Sequence, residues 1–316
     1  MKEFREEEVK IEGEYLIDAT ITYPTHSKNG MAYVIVQGTG VGNKDGNFKG
    51  LEVNLYRKLA YELADSGAVV VRYNKRGLHG SKGDFYAAGV TDLINDIIQV
   101  IRYTQGLHEV DHQRVALLGH SEGCILSVEA HKKYPVSQLI LIAGAGGTLK
   151  RAMNQQQIRA LEEIKNKKGV LGVILRRLVN LEKAQAKQQK LYKKISDSKK
   201  DTIRVQGQKM NAKWLREHFE MTLTQVLADL SQLNVPTLII CGDKDVQAEP
   251  SDLIVIDQLR NPNIKTQLIE NMDHLLHYFD GECSILNVNK QYKAHVHQPL
   301  HQGFIQTLRS WIQACD

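Results

Sequence analysis

RVALLGHSEGC, residues 114–124, sets a short apolar run against an abrupt Gly-His-Ser-Glu-Gly. Residues 115–118 have the length of a buried parallel strand and residues 122–134 read as a helix, which puts G-x-S-x-G at a strand-to-helix turn. A serine on so sharp a turn is backbone-strained. Gly119 and Gly123 remove the Cβ atoms that would clash where helix and strand approach most closely. The Ser121 hydroxyl is then expected to project from the carboxyl edge of a sheet, beside the Glu122 backbone N–H at the start of a helix. That placement suits a nucleophile.

The chain has 316 residues, 42% of them hydrophobic, enough for one large α/β domain with an insertion. No stretch approaches the roughly 18 consecutive apolar residues of a membrane span. The start, MKEFREEEVK, is too charged for a signal peptide, so a cytoplasmic location without stable membrane insertion is expected. Cys124, Cys241, Cys283 and Cys315 show neither CxxC nor Cys/His ligand spacing; they read as reduced thiols, with Cys124 a small core residue. The formal charge of +5 is local: residues 151–201 hold fourteen Lys/Arg against five Asp/Glu, a net of +9, which leaves −4 elsewhere. Tyr192 is the only aromatic there, too little for a nucleic-acid platform, so the stretch reads as a solvated helical face.

Residues 13–23 alternate as an antiparallel edge strand, and 24–30 form a polar turn. The apolar strand 31–38 enters GTGVGNKDGNFKG, in which Gly38, Thr39 and Gly40 supply flexible backbone. The Thr39 N–H is the expected partner of the Glu122 N–H in holding an oxyanion. A phosphate loop is excluded, because no Gly-Lys-Ser/Thr follows and the full G-x-G-x-x-G spacing is absent. Helices are predicted over 51–65 and 91–105, and strands over 68–74 and 138–146; Arg72 and Arg76 are expected to brace loops through buried hydrogen bonds. Such alternation means a parallel sheet covered on both faces.

At Gly146-Gly147 the rhythm changes. Residues 148–232 offer no strand and several helical patterns, among them 169–182, and predict a helical cap inserted between two core segments, 1–147 and 233–316. Residues 182–200 have few apolar positions and are expected to be mobile. Trp214, Leu215 and Phe219 are candidates either to line a pocket or to glue cap to core. The core resumes with a strand at 237–241, a helix at 250–259, a strand at 265–269 and an amphipathic helix at 304–314.

A serine hydroxyl at neutral pH is a poor nucleophile; a neutral imidazole accepts its proton, and a carboxylate fixes the tautomer and stabilises the imidazolium. Of twelve histidines, His274 alone lies in a short loop directly after the final predicted strand. His120 is expected to point the wrong way, and His277, His295, His297 and His301 read as surface or local-packing residues. For the acid, Asp245 is preferred to Asp243, because the side chain must extend from the loop; Asp273 is a third candidate, although adjacent residues rarely face each other. The chain supplies its own nucleophile, base and electrophilic amides, so no metal or cofactor is implied.

QGTG (37–40), RYNKRG (72–77), GHSEGC (119–124), VPTLIICGDKDVQ (235–247) and NMDHLLH (271–277) together resemble the α/β-hydrolase superfamily. More narrowly they look like its bacterial carboxylesterase and serine aminopeptidase-like (S33-type) branch, over residues 13–311. The resemblance implies a mostly parallel central sheet flanked by helices, with a helical cap inserted after the strand that follows the nucleophile unit. It implies Ser121 as nucleophile, His274 as base, Asp245 as acid, and the Thr39 and Glu122 amides as oxyanion hole. Gln37 stands where His is common, Asn74 where many members have Asp, and Cys124 where Gly is usual.

Ester hydrolysis is what this resemblance implies. The expectation is a carboxylesterase cleaving short- or medium-chain acyl esters of small molecules, with Gly38, Gly40, Trp214 and Phe219 around the substrate. Thioesterase and aminopeptidase or amide hydrolase chemistry are alternatives on the same triad. A basic cap favours anionic acyl substrates over a substrate ammonium. A non-catalytic small-molecule binding protein is the alternative of another class, and the complete triad argues against it. A homodimer and docking of the basic cap on an anionic membrane are compatible with the sequence.

Overall fold

The computed structural model describes residues 4–25, 29–169 and 181–315. From the amino terminus come β1 (Arg5–Ile11), β2 (Ile17–Tyr23), β3 (Ala32–Val36), α1 (Leu55–Asp65), β4 (Val69–Tyr73), α2 (Val90–Gln105), β5 (Val115–His120), α3 (Glu122–Lys133) and β6 (Leu139–Ile142). An inserted segment follows, with α4 (Leu149–Asn166), α5 (Leu181–Asp197), β7 (Thr202–Val205), β8 (Gln208–Asn211), α6 (Ala212–Glu220) and α7 (Leu223–Ser231). The chain ends with β9 (Thr237–Gly242), α8 (Asp252–Gln258), β10 (Ile264–Ile269), α9 (Val288–His295) and α10 (Gln302–Cys315).

Eight strands form one sheet in the order β1-β2-β4-β3-β5-β6-β9-β10, parallel from β4 to β10 and antiparallel where β2 meets β1 and β4. The runs AYVIV, LILI and TLIICG are apolar throughout because both faces of the sheet are covered. Successive side chains take opposite sides: Val34 and Val36 pack with Ile97 of α2 and Leu126 of α3, while Tyr33 and Ile35 pack with Leu59 of α1 and Leu308 of α10. On α2, Val90, Leu93, Ile94, Ile97, Val100 and Ile101 recur every three or four residues and make its buried stripe. The Asp92 carboxylate accepts the Gly89 N–H at 2.7 Å and satisfies an amide at the start of that helix.

From β3 the chain passes through α1 to β4 on one side, then returns through α2 to β5 on the other. Ligands of open α/β sheets bind outside the carboxyl ends of the strands at such a reversal. The loops after β3, β5, β9 and β10 carry Thr39, Ser121, Asp245 and His274, so the topology gathers four distant segments at one edge. Arg76 braces this edge with two bonds to Asp96, at 2.7 and 2.6 Å, and Arg72 pairs with Glu6 and Asp45. Both arginines are therefore internal ties, as expected.

Several local expectations change. Residues 13–23 do not form the edge: β1 lies outside β2, and the sequence REEEVKI hides a strand because an exposed edge is best protected by charge. Glu8 and Glu6 accept bonds from Thr20 and Thr22 directly across that ladder, at 2.7 and 3.1 Å. The first helix begins at Leu55, since Leu51 forms an antiparallel bridge with Phe48. The inserted segment contains the β7–β8 hairpin, whose turn residues Gln206 and Gly207 have φ of 51° and 81°, the positive pair of a tight hairpin. Residues 182–200, expected to be mobile, are mostly helix α5, with Ile195 buried against Ile203 and Leu215. Helix α9 had no counterpart in the sequence pattern. Most of the helical pattern at 169–182 and part of the turn at 24–30 lie outside the described residues.

His277 is fully buried, and neither of its ring nitrogens has a hydrogen-bond partner among the described residues. Burial, with the neighbouring Lys58 and His295 adding to it, pushes its pKa from 6.5 down to about 4. The unfolded chain therefore takes up a proton that the folded chain refuses until lower pH. Stability present above pH 6.5 is lost as pH falls toward 4, at about 1.4 kcal/mol per pH unit for this one group. His277→Leu is expected to reduce the slope of unfolding free energy between those pH values by one proton's worth, measured by urea titration. An unchanged slope would refute the neutral buried imidazole.

Candidate active site

Ser121 joins β5 to α3 with φ of 56° and ψ of −122°, a conformation strained for a residue with a Cβ. Its N–H donates to the Ile142 carbonyl at 2.8 Å, which ties the turn to the end of β6. A Cβ on Gly119 would fall 2.3 Å from the Gly123 carbonyl oxygen, and one on Gly123 would fall 2.1 Å from that of Val36. Only glycine permits the strand and helix to close so tightly. Cys124 is fully buried just beyond, its thiol against the Ile142 carbonyl at 3.2 Å and pushed up by burial, which matches a core residue.

His274 Nδ1 lies 2.7 Å from Asp245 Oδ2, both residues buried. The other carboxylate oxygen accepts the N–H groups of Gln247 and Ala248, each at 2.8 Å. Burial alone would raise the Asp245 pKa; the imidazole and these amides outweigh it and hold the carboxyl low. Burial alone would likewise lower that of His274, but the Asp245 carboxylate, with Asp273 beyond it, raises it instead. Asp273 is occupied elsewhere, accepting the Leu275 and His277 N–H groups at 3.0 and 2.9 Å, and the Asp243 carboxylate accepts from Asn271 N. Among the three carboxylates, Asp245 is the one bonded to His274. The Ser121 hydroxyl has no hydrogen-bond partner among the described residues, and bonds of this type commonly tighten only when substrate is bound.

The loop after β3 meets the same turn. A Cβ on Gly38 would fall 2.9 Å from Ser121 Cβ, so the loop lies directly on the serine. The Gly38 N–H donates to Tyr56 Oη at 2.9 Å, and its carbonyl accepts from Lys75 Nζ at 2.6 Å. In a trans peptide the N–H of the next residue points opposite to the carbonyl, so the Thr39 amide faces away from Lys75. Glu122, the first residue of α3, has one of the helix's unbonded N-terminal amides. Its carboxylate is also engaged: Oε1 accepts from Trp214 Nε1 at 2.6 Å and His218 Nε2 at 2.9 Å, while Oε2 lies 3.5 Å from Lys75 Nζ. Burial would raise this carboxyl; Lys75, His218 and Trp214 prevail and hold it near 2. Sequence reasoning saw the Glu122 amide but missed its side chain and Lys75, whose only signal was a pair of opposite charges in two otherwise buried turns. His120 points away from the serine: its Nε2–H donates to the His274 carbonyl at 2.9 Å and its Nδ1 faces Tyr56 Oη at 3.2 Å.

Ser121, Thr39, Glu122, Met153 and Trp214 border a cleft of about 390 Å³ that extends past Arg151, Gln155, Gln156 and Asp252. An adjoining lobe of about 340 Å³ shares Thr39, Glu122, Met153 and Trp214, and is walled by Gly40, Phe85, Tyr86, Ala88, Leu93, Met210 and Leu215. Trp214 lines this cleft, whereas Phe219 packs inside the inserted segment, its ring 4.6 Å from that of Tyr192. Of that segment's basic residues, Arg151 lines the larger lobe and Lys209 the smaller one. Among the described lining residues of the larger lobe, Arg151 is the one cation, and Asp252 pairs with it at 2.6 Å. Glu249 is paired with Arg159 at 2.7 Å, so the lobe is hydrogen-bonding but close to neutral. Among the described residues no group of three or more His, Cys, Asp or Glu is placed to hold a metal ion, and no helix is long and apolar enough to cross a membrane.

The profile of the serine aminopeptidase, S33, family matches residues 50–282. Esterase EstD of Thermotoga maritima is 24% identical over 295 residues, which are 93% of this chain and 65% of that protein. The chain thus spans about two thirds of that relative's length. Est1E of Butyrivibrio proteoclasticus, solved with ferulic acid, superposes with a TM-score of 0.57 at 16% identity over 90% of this chain and 96% of its own. The α/β hydrolase GrgF of Penicillium sp. sh18 gives 0.56 at 14% identity over 92% and 98%. With the elbow, the sheet order and a family match over most of its length, the chain belongs to the serine aminopeptidase, S33, family of α/β-hydrolases.

Proposed function

We propose that the protein is a serine carboxylesterase in which Ser121 is the nucleophile, His274 the general base and Asp245 the acid that orients it. The observation that carries this reading is the buried Asp245–His274 bond of 2.7 Å at the sheet edge where Ser121 is held at φ of 56°. Ser121 Oγ attacks the ester carbonyl carbon while its proton passes to His274 Nε2. The carbonyl oxygen becomes an oxyanion held by the Thr39 and Glu122 amides. Collapse expels the alcohol, which takes the proton from His274 and leaves an acyl-enzyme. Water then repeats the sequence in reverse roles, releasing the acid and restoring the serine. The segment 148–232 acts as a cap, since Trp214 and His218 reach from it to Glu122 beside the serine.

The apolar lobe takes the acyl chain and the larger, hydrogen-bonding lobe takes the alcohol. Ester substrates are favoured over peptides with a free amino terminus, because the carboxylates near the serine are already neutralised: Glu122 by Lys75, Asp252 by Arg151 and Glu249 by Arg159. None is left to hold an ammonium. The name of the relative EstD agrees with this choice.

Ser121→Ala is expected to abolish p-nitrophenyl ester hydrolysis, by at least about 10³-fold, with the circular-dichroism spectrum unchanged; surviving turnover would rule Ser121 out. Because catalysis needs the neutral imidazole and the Asp245 carboxylate raises the His274 pKa, the acidic limb of kcat/KM is expected above pH 6.5. Met210→Trp should fill the apolar lobe and lower kcat/KM for an octanoate ester about tenfold more than for an acetate ester. Equal effects on the two esters would place the acyl chain elsewhere.

A further inference from the structure

We propose that Lys75 and Glu122 form a buried positioning pair that sets the oxyanion hole, with Lys75 aiming the Thr39 amide and Glu122 supplying its counter-charge and anchoring the cap. The inference rests on the esterase reading above.

The need for such a device comes from Gly38. The loop lies so close to Ser121 that a side chain at this position would collide, at 2.9 Å between Cβ atoms. Glycine solves the collision but leaves the backbone free to turn at the residue whose peptide carries the Thr39 N–H. The structure removes that freedom from both sides. Tyr56 Oη accepts the Gly38 N–H at 2.9 Å, and Lys75, a residue only 4% exposed, donates from Nζ to the Gly38 carbonyl at 2.6 Å. With both ends of the residue fixed, the following amide has one orientation. The ammonium also polarises the peptide, which strengthens the N–H on its far side as a donor.

A buried ammonium requires a partner, and the carboxylate paired with it is that of Glu122, the residue after the nucleophile. Glu122 Oε2 lies 3.5 Å from Lys75 Nζ and makes no hydrogen bond of its own, so charge alone relates the two. Its other oxygen is taken by Trp214 and His218 of α6. The carboxylate sits on the residue whose own amide is the second oxyanion donor; alone, its charge would oppose the developing oxyanion. Lys75 cancels that field. The pair thus joins three parts of the site: the loop after β3, the elbow and the cap.

The test compares wild type, Lys75→Met, Glu122→Gln and the double variant in p-nitrophenyl butyrate kinetics, in the rate of phosphonylation by a fluorophosphonate, and in thermal unfolding. Removing a donor from an oxyanion hole lowers kcat by about 10²–10³-fold, which sets the ceiling for an amide that is merely mis-aimed. Lys75→Met is expected to lower kcat by about 30-fold with KM within about threefold, and phosphonylation should slow in parallel. Adding Glu122→Gln should recover at least about threefold of kcat over Lys75→Met, because the uncompensated carboxylate is gone. Should Lys75→Met alone not fold, the double variant, which buries no net charge, should still fall at least about threefold below wild type in kcat. A kcat within twofold of wild type in either variant, a loss confined to KM or to the unfolding temperature, or a double variant no better than Lys75→Met would overturn the pair. Failure of the esterase reading looks different: wild type itself would neither turn over the ester nor react with the fluorophosphonate.

Discussion

The site depends on how closely bare backbone can approach Ser121. The serine keeps φ of 56° because three neighbouring segments close on it without side chains: Gly38 against its Cβ, Gly123 against the end of β3, and Gly144 after β6, where a Cβ would fall 2.1 Å from the Ser121 carbonyl oxygen. A non-glycine residue in that region carries about 1–3 kcal/mol of strain, and it persists only where the surroundings leave no alternative. Here the surroundings are the carboxyl ends of β3, β5 and β6, central strands whose side chains are wholly buried. The stiffness of the sheet is what holds the hydroxyl at its edge.

Charge in this protein is arranged by the same demand for close fit. Buried ionic groups near the site come in partnered sets: Arg76 with Asp96, Lys75 with Glu122, Asp245 with His274. A buried ion without a partner costs far more than such a pair returns in net stability, so these sets specify geometry more than they stabilise the fold. The surplus positive charge of residues 151–201 obeys a different rule. Lys187, Lys190, Lys193 and Lys194 of α5 are exposed, while the cations of the same segment that reach the core, Arg151 and Arg159, meet Asp252 and Glu249. Net charge of a segment therefore said little about the polarity of the cleft beneath it.

This explains what was legible in the sequence. The parallel strands, α2 and α3 could be read because burial on two faces or along one stripe imposes a pattern on the residues themselves. The loop positions of Ser121, Asp245 and His274 could be read because each follows a recognisable strand. β1 could not, since its exposed face is REEE and its identity as a strand depends on β2 lying beside it. The β7–β8 hairpin left only the Gln-Gly turn as a trace, between two strands of four residues each. Phe219 could not be placed because helical spacing says that an aromatic is buried, not what buries it, and Tyr192 lies too far away in sequence to reveal itself. Side-chain pairings across loops, such as Lys75 with Glu122, leave no periodicity at all.

The position before Ser121 shows how far the site extends beyond the groups that would do chemistry. His120 does not face the cleft, yet burial pushes its pKa down to about 3, so it stays neutral and must use one nitrogen as donor and the other as acceptor. Its Nε2–H is committed to the His274 carbonyl, which leaves Nδ1 to accept from Tyr56 Oη. That hydroxyl in turn accepts the Gly38 N–H. A single directional chain of bonds therefore runs from the loop bearing the Thr39 amide, through the residue beside the serine, to the backbone of the histidine. Shifting any one of the three loops would break a buried bond in the others, so Ser121, His274 and the Thr39 amide are held as one unit and not as three separate placements.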